Sequence, residues 1–204
     1  MKKTVWDVFA PFYERSMRSQ QQIYDYIYQH ASLACKGKKV LELATGPGMI
    51  AKNIASSAES VVATDFAPKM IKAAKKGGFP DNVVFETADA TALKYADKSF
   101  DVVIIASALH IMPNPGKAMS EISRVLCDDG LLVAPNFIFD NSGKKNLWQK
   151  FLSLIGIKFA HEWTAREYMT FLESNGWEIK QSEILNGRIN LLYVECKRKR
   201  INFA

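Results

Sequence analysis

Cysteine and histidine are scarce in this chain, and where they occur they stand apart. Its three cysteines, Cys35, Cys127 and Cys196, form no Cys-x-x-Cys pair. That excludes a zinc knuckle or a disulfide framework and predicts free thiols in a reducing compartment. His30, His110 and His161 are equally dispersed and no His-Glu-x-x-His run occurs, so no metal site is expected. A Gly-x-Ser-x-Gly elbow is also missing, which leaves a hydrolase triad without its nucleophile. Long apolar runs are absent too. The longest, Val102–Leu109, contains Ser107 and is far too short to span a bilayer. Asp7 and Glu14 interrupt the stretch in which a signal peptide would need its apolar core. These absences predict a cytoplasmic protein with no transmembrane segment.

What is present suits one α/β domain: 204 residues, 48% hydrophobic and 24% charged, enough to bury a substantial core. The net charge of +6 is concentrated partly in two short runs, Lys2-Lys3 and Lys197-Arg198-Lys199-Arg200. Terminal basic runs of this kind read first as solvated tails, with RNA or an anionic surface as the second reading. No DNA partner is expected, and oligomeric state is not encoded in any visible pattern.

Read in order, residues 1–34 comprise an aromatic arm (Trp6, Phe9, Phe12, Tyr13) and a helix carrying Ile23, Tyr24, Ile27, Tyr28 and Ala31 on one face. Residues 38–136 alternate short strands with helices, the pattern of a mainly parallel sheet. Strands are predicted at Lys39–Leu43, Ser60–Asp65, Asn82–Thr87 and Phe100–Ala106, with a fifth from Leu131. Asn114-Pro115 reads as an N-cap followed by proline at the first helical position. Residues 137–162 hold the apolar stripe Leu147, Trp148, Phe151, Leu152 and Ile155, either core packing or a substrate cap. In 163–204, Thr164-Ala165-Arg166-Glu167 is a capping box that starts a helix. Asn186-Gly187 then marks a hairpin. The predicted fold is a three-layer, doubly wound Rossmann-like domain whose seven-stranded sheet is closed by an antiparallel C-terminal hairpin strand.

Chemistry concentrates where strands end. Val40-Leu41-Glu42-Leu43-Ala44-Thr45-Gly46-Pro47-Gly48 runs from strand through a glycine turn into a helix. Gly46 to Ala51 matches the G-x-G-x-x-A dinucleotide fingerprint, and Asp65 follows where a ribose-binding acid is expected. The pattern fits a nicotinamide dinucleotide and S-adenosylmethionine alike. Phe66 offers a ring to an adenine face, and Asp89 an acceptor for an exocyclic amine, unless it is simply a turn residue. Glu42, inside an apolar strand, requires a partner for its carboxylate.

Val40–Gly48, Val62-Ala63-Thr64-Asp65, Thr87-Ala88-Asp89-Ala90, Ser99–Ile104 and Asp129–Leu132 together resemble the successive motifs of class I S-adenosylmethionine-dependent methyltransferases. The small-molecule branch that includes ubiquinone and menaquinone biosynthesis enzymes is the nearest likeness. That resemblance implies S-adenosyl-L-methionine as cofactor and S-adenosyl-L-homocysteine as product. It assigns cofactor contacts to Glu42, Ala44, Thr45, Gly46, Gly48, Asp65, Phe66, Met70, Asp89, Ala90 and Ser107. His110 becomes a candidate for base catalysis or substrate contact, and Tyr13, Asn136, Trp148 and His161 become candidates for the acceptor pocket. Ala44 departs from the family pattern, standing where many members have the first glycine. The implied activity is methyl transfer to a small, apolar or lipid-like acceptor by in-line displacement. The alternatives are an RNA methyltransferase, an NAD(P)-dependent oxidoreductase, and a module that binds the cofactor without turning it over.

Overall fold

A computed structural model of the chain describes residues 20–139 and 159–199. The stripe Leu147–Ile155 and the aromatic arm before residue 20, with Trp148 and Tyr13, lie outside the described residues. The chain enters on α1 (Gln21–Ala34), whose buried face is Ile23, Tyr24, Ile27 and Ala31. It then alternates β1 (Lys39–Leu43), α2 (Met49–Ile54), β2 (Ser60–Asp65), α3 (Pro68–Ala74) and β3 (Val83–Thr87). After β4 (Phe100–Ile105) come a single 3-10 turn (Leu109–Ile111), α4 (Pro115–Val125), β5 (Leu126–Val133) and the two-residue β6 (Asn136–Phe137). The chain closes with α5 (Ala165–Ser174), β7 (Trp177–Leu185) and β8 (Leu191–Arg198).

One sheet runs β3-β2-β1-β4-β5-β8, with β6 continuing the β5 edge along β8 and β7 on the far side of β8. The pairs from β3 to β5 are all parallel. β8 is antiparallel to β5 (Leu132 opposite Cys196) and to β7. The C-terminal hairpin therefore closes the sheet, as expected, with β8 as the antiparallel strand. That strand lies inside, between β5 and β7, and β7 is the edge. The hairpin connection differs from expectation, because five residues, 186–190, connect β7 to β8 instead of a two-residue turn. Gly187 serves close approach, not a left-handed turn: a Cβ there would meet Ile23 Cδ1 at 2.5 Å and Gln20 Oε1 at 2.6 Å.

Strand alternation assigns residues to two cores. Leu41, Leu43, Val103 and Ile105 face α4 and α5, with Met119, Ile122, Tyr168 and Leu172. Val40, Val102 and Ile104 face the opposite way, toward Ile27, Ile50, Ala51 and Ile71 of the first three helices. All of these strand residues are at most 2% exposed, so β1 and β4 are buried on both faces, β4 through the continuous apolar run Val102–Ile105. Glu42 shares its side of β1 with Val40 and is thereby aimed beneath α2. At the other end of the chain, Thr164 and Glu167 form the capping box, with both reciprocal bonds made.

Candidate active site

Strand order reverses at β1 and β4, the place where doubly wound sheets hold ligands beyond the carboxyl ends of their strands. A cavity of about 460 Å³ opens there, within the size range of small-molecule sites. The turn after β1 contributes Ala44 and Gly46, and the end of β2 contributes Thr64, Asp65 and Phe66, with Met70 from α3. Residues 88–91 after β3 form a third wall, and residues 106–108 and 111–114 after β4 form the fourth.

Asp65 joins the first two walls. Its Oδ2 accepts the Gly46 N–H at 2.9 Å and its Oδ1 the Ala67 N–H at 2.8 Å. Each carboxylate oxygen can accept more than one bond, and the carboxylate stands in the cavity lining. Phe66 beside it is 62% exposed, an apolar ring presented at the mouth. Asp89 both lines the cavity and makes the turn anticipated for it, its Oδ1 accepting the Thr91 N–H and hydroxyl at 2.8 Å each.

Arg124 fixes the segment that follows the third wall. It donates to Glu121, to Asp97 and to the carbonyls of Tyr95 and Leu93. Glu121 in turn accepts the Leu93 N–H at 2.7 Å.

The glycine turn is built differently from an anion-binding loop. Thr45 donates its N–H to the Thr64 carbonyl at 2.8 Å, Gly46 to Asp65, and Gly48 to the Thr45 carbonyl at 3.0 Å. The Ala51 N–H, in the first turn of α2, is directed at the Glu42 carboxylate. These donors are spent inside the protein, whereas a dinucleotide pyrophosphate would draw on them. What the turn covers is instead an acid. Glu42 is 2% exposed, and burial pushes its carboxyl up to about 8, with the Thr45 side chain and Ala51 N–H partly opposing. Among the described residues, Glu42 Oε2 and Thr45 Oγ1 are buried with no hydrogen-bond partner. A ligand bearing an ammonium group, an adenosine diol and an apolar surface fits this donor and acceptor set. S-adenosylmethionine has all three.

Two backbone conformations sharpen the site. Ala44 and Ser107, at the ends of neighbouring strands, both line the cavity with φ of 55° and 51°, left-handed geometry that glycine adopts without cost. Gly48 does not line the cavity. With φ of 80°, its missing Cβ leaves room for the Phe85 ring, which would otherwise be met at 2.6 Å. Glu42 and Thr45 are likewise outside the cavity lining.

His110 also falls outside the lining. It is 3% exposed, its Nδ1 is 2.8 Å from Asn136 Oδ1, and its ring stacks on Phe159 and meets Phe137 edge-on. Asn136 donates its amide Nδ2 to the Phe137 carbonyl, so its oxygen faces His110, which carries the proton on Nδ1. Burial holds the imidazole down at about 4, neutral at physiological pH. His161 joins this group, donating its backbone N–H to the His110 carbonyl at 3.0 Å and stacking on Trp163. The three residues predicted separately from sequence thus form one aromatic-lined cluster behind the fourth wall.

Sequence reasoning missed Thr64, Thr91, Ile111, Met112, Pro113 and the alanines at 88, 106 and 108. The run of small residues at successive strand ends was the available signal. Asn114 is the N-cap of α4 with Pro115 opening the helix, as the sequence indicated, but it makes no side-chain cap bond and also lines the cavity.

Residues 41–134 match the methyltransferase domain family model. Demethylmenaquinone methyltransferase of Renibacterium salmoninarum is 40% identical over 104 residues, 51% of this chain and 43% of that protein. A ubiquinone/menaquinone biosynthesis C-methyltransferase of Bdellovibrio bacteriovorus is 37% identical over 109 residues, 50% of this chain and 45% of that one. The aligned part is less than half the length of each relative. Among solved structures, an S-adenosylmethionine-dependent methyltransferase from Mesorhizobium loti has a TM-score of 0.66 at 19% identity, covering 81% of this chain and 93% of that one. The [4+2]-cyclase SpnF has a TM-score of 0.73 at 18% identity, covering 89% and 84%. Over residues 41–134 the chain is similar to the methyltransferase domain family, and its fold is that of solved S-adenosylmethionine-dependent methyltransferases. About half of the chain is similar in sequence to the menaquinone and ubiquinone methyltransferases named above.

Proposed function

We propose that the chain transfers the methyl group of S-adenosylmethionine to a carbon of a small, apolar, quinol-type acceptor. Bound in the cavity, S-adenosylmethionine supplies a methyl group on a positively charged sulfur, ready for direct displacement. Glu42 and Thr45 hold the amino-acid end, Asp65 the ribose, and Phe66, Met70 and the 88–91 turn the adenine. The observation that carries the reading is the buried, partnerless oxygen of Glu42 beneath a turn whose N–H groups are already spent.

The chain's own part in the reaction is positioning and exclusion of water. Ala106, Ser107 and Ala108 keep the wall after β4 small, which leaves room for an acceptor beside the cofactor. His110, neutral and bonded through Nδ1, shapes the wall from behind and accepts no proton from the acceptor directly. In an ionised phenol-type acceptor the ring carbon is already electron-rich, so the displacement itself, S–CH3 broken and C–CH3 formed, needs no enzyme base, and the proton of that carbon passes to solvent afterwards as the ring regains aromaticity. The quinol class rests on the named relatives, and the apolar character of the walls supports it.

The test is transfer of labelled methyl from S-adenosylmethionine to an organic-extractable product when the full chain is incubated with a reduced demethylated naphthoquinone. Label in the extract, with mass spectrometry placing the methyl on carbon, is the expected result. Label transferred to RNA instead would overturn the acceptor class. A second reading, binding without methyl transfer, is kept because SpnF shares the fold under the name of a cyclase. Retained S-adenosylmethionine affinity with no labelled product from any acceptor pool would favour it.

A further inference from the structure

Beside the cofactor cavity, the surface over α3 has an unusual make-up. From Phe66 to Pro80 the chain carries four lysines, Lys69, Lys72, Lys75 and Lys76, and no acidic residue. All four lysines are exposed, while Met70, Ile71 and Ala74 occupy the buried side of the same helix. Lys52 of α2 adds a fifth charge, its Nζ 3.4 Å from the Lys76 carbonyl and 5.9 Å from the Phe85 ring. Aromatic rings stand at both ends of the row. Phe66 is 62% exposed at the cavity mouth, and Phe79 is 39% exposed, held edge-on against Phe85 at 5.1 Å.

We infer that this face docks the protein on the surface of an anionic lipid bilayer. Positive charge on one face with exposed aromatic rings at its ends matches the headgroup region, where lysines meet anionic lipids and rings enter the boundary below them. The arrangement argues against RNA as the occupant. Lys69 and Lys72 lie on the exposed side of α3 and Lys75 and Lys76 just beyond its end, with no arginine among them, whereas single-stranded nucleic acid is gripped in a basic groove over stacking platforms. No helix of the described residues is long and apolar enough to cross a membrane, so the attachment is peripheral. The inference goes beyond the methyl-transfer reading and stands without it. Together they place the cavity mouth, through Phe66, next to the phase in which an apolar acceptor dissolves.

The experiment is co-sedimentation of the full chain with phosphatidylcholine vesicles, with and without phosphatidylserine, at low and high salt. Binding should require phosphatidylserine and fall with salt. Lys72→Gln with Lys76→Gln should weaken it by about five-fold for each lysine, and Phe79→Ser should weaken it further. Neither change touches the cavity lining, so S-adenosylmethionine affinity, measured alongside, should stay at the parent value. Equal binding to neutral vesicles would overturn the inference. So would a lysine double variant that binds like the parent, a loss that follows Lys2→Gln and Lys3→Gln instead, or salt-sensitive capture of polyuridine without capture of vesicles.

Discussion

The Gly46 N–H is bonded to Asp65 Oδ2 at 2.9 Å, so the turn after β1 and the acid after β2 are one construction. The carboxylate that faces the cavity also holds the turn that forms the cavity wall. Asp65→Ala should therefore weaken S-adenosylmethionine binding by on the order of 1–3 kcal/mol and also speed hydrogen exchange at Gly46 and Ala67. Asp65→Asn keeps an acceptor for one of the two N–H groups and should lie between parent and alanine variant. Calorimetry and exchange mass spectrometry report the two effects separately.

Glu42 predicts a pH signature. Its carboxyl, near 4.3 in an unfolded chain, is raised to about 8 by burial. The unfolded chain gives up this proton first, so folded stability without ligand falls as pH rises from about 4.5 toward 8. Glu42→Gln should flatten that slope in urea titrations across the window and stabilise the ligand-free protein at pH 7.5. The same variant should lose cofactor affinity. In the parent, a ligand ammonium favours the ionised acid, so binding at pH 7 should release a proton, visible as a dependence of calorimetric enthalpy on the buffer's ionisation enthalpy.

His110 gives the opposite slope in a lower window. Its imidazole is depressed from 6.5 to about 4 by burial, with the neighbouring His161 acting in the same direction and the Asn136 bond opposing. The unfolded chain takes up the proton first, so stability is lost as pH falls from about 6.5 through 4. His110→Gln should reduce this acid sensitivity. Because the ring stands behind the wall, turnover should decline through acceptor binding more than through cofactor affinity, which a comparison of KM for the two substrates checks.

Ala44 occupies a left-handed conformation, φ 55°, that costs an L-residue about 1–2 kcal/mol. Part of that is returned because glycine loosens the unfolded chain. Ala44→Gly should thus be neutral or stabilising by about 0.5 kcal/mol, while Ala44→Val, bulkier and branched, should destabilise and narrow the cavity. Thermal melts with and without S-adenosylmethionine separate the two effects.

Much of this was legible beforehand, and the limits have physical reasons. β1 and β2 match their predicted spans because each is a short apolar run bounded by lysine or serine and by a turn, and one periodicity fits. Motif order likewise located the cavity at Ala44, Gly46, Asp65, Phe66, Met70, Asp89, Ala90 and Ser107. The β7–β8 connection misled because Asn186-Gly187 has the residues of a tight hairpin, yet the glycine is there to let the start of α1 approach, a long-range constraint with no local signature. Gly48 misled for the same reason, since Phe85 lies 37 positions along the chain. The glycine pattern alone did not separate a dinucleotide from S-adenosylmethionine; the ordered motifs downstream did, and the N–H groups of Thr45, Gly46 and Gly48, spent inside the protein, agree with them.

The most direct measurement is calorimetric titration of the full chain with S-adenosylmethionine, with S-adenosylhomocysteine and, separately, with NAD. One saturable site shared by the first two, with affinity lost in Glu42→Gln and Asp65→Ala and no heat from NAD, is the expected result. Saturable binding of NAD, or S-adenosylmethionine binding that survives both substitutions unchanged, would contradict the assignment of this cavity.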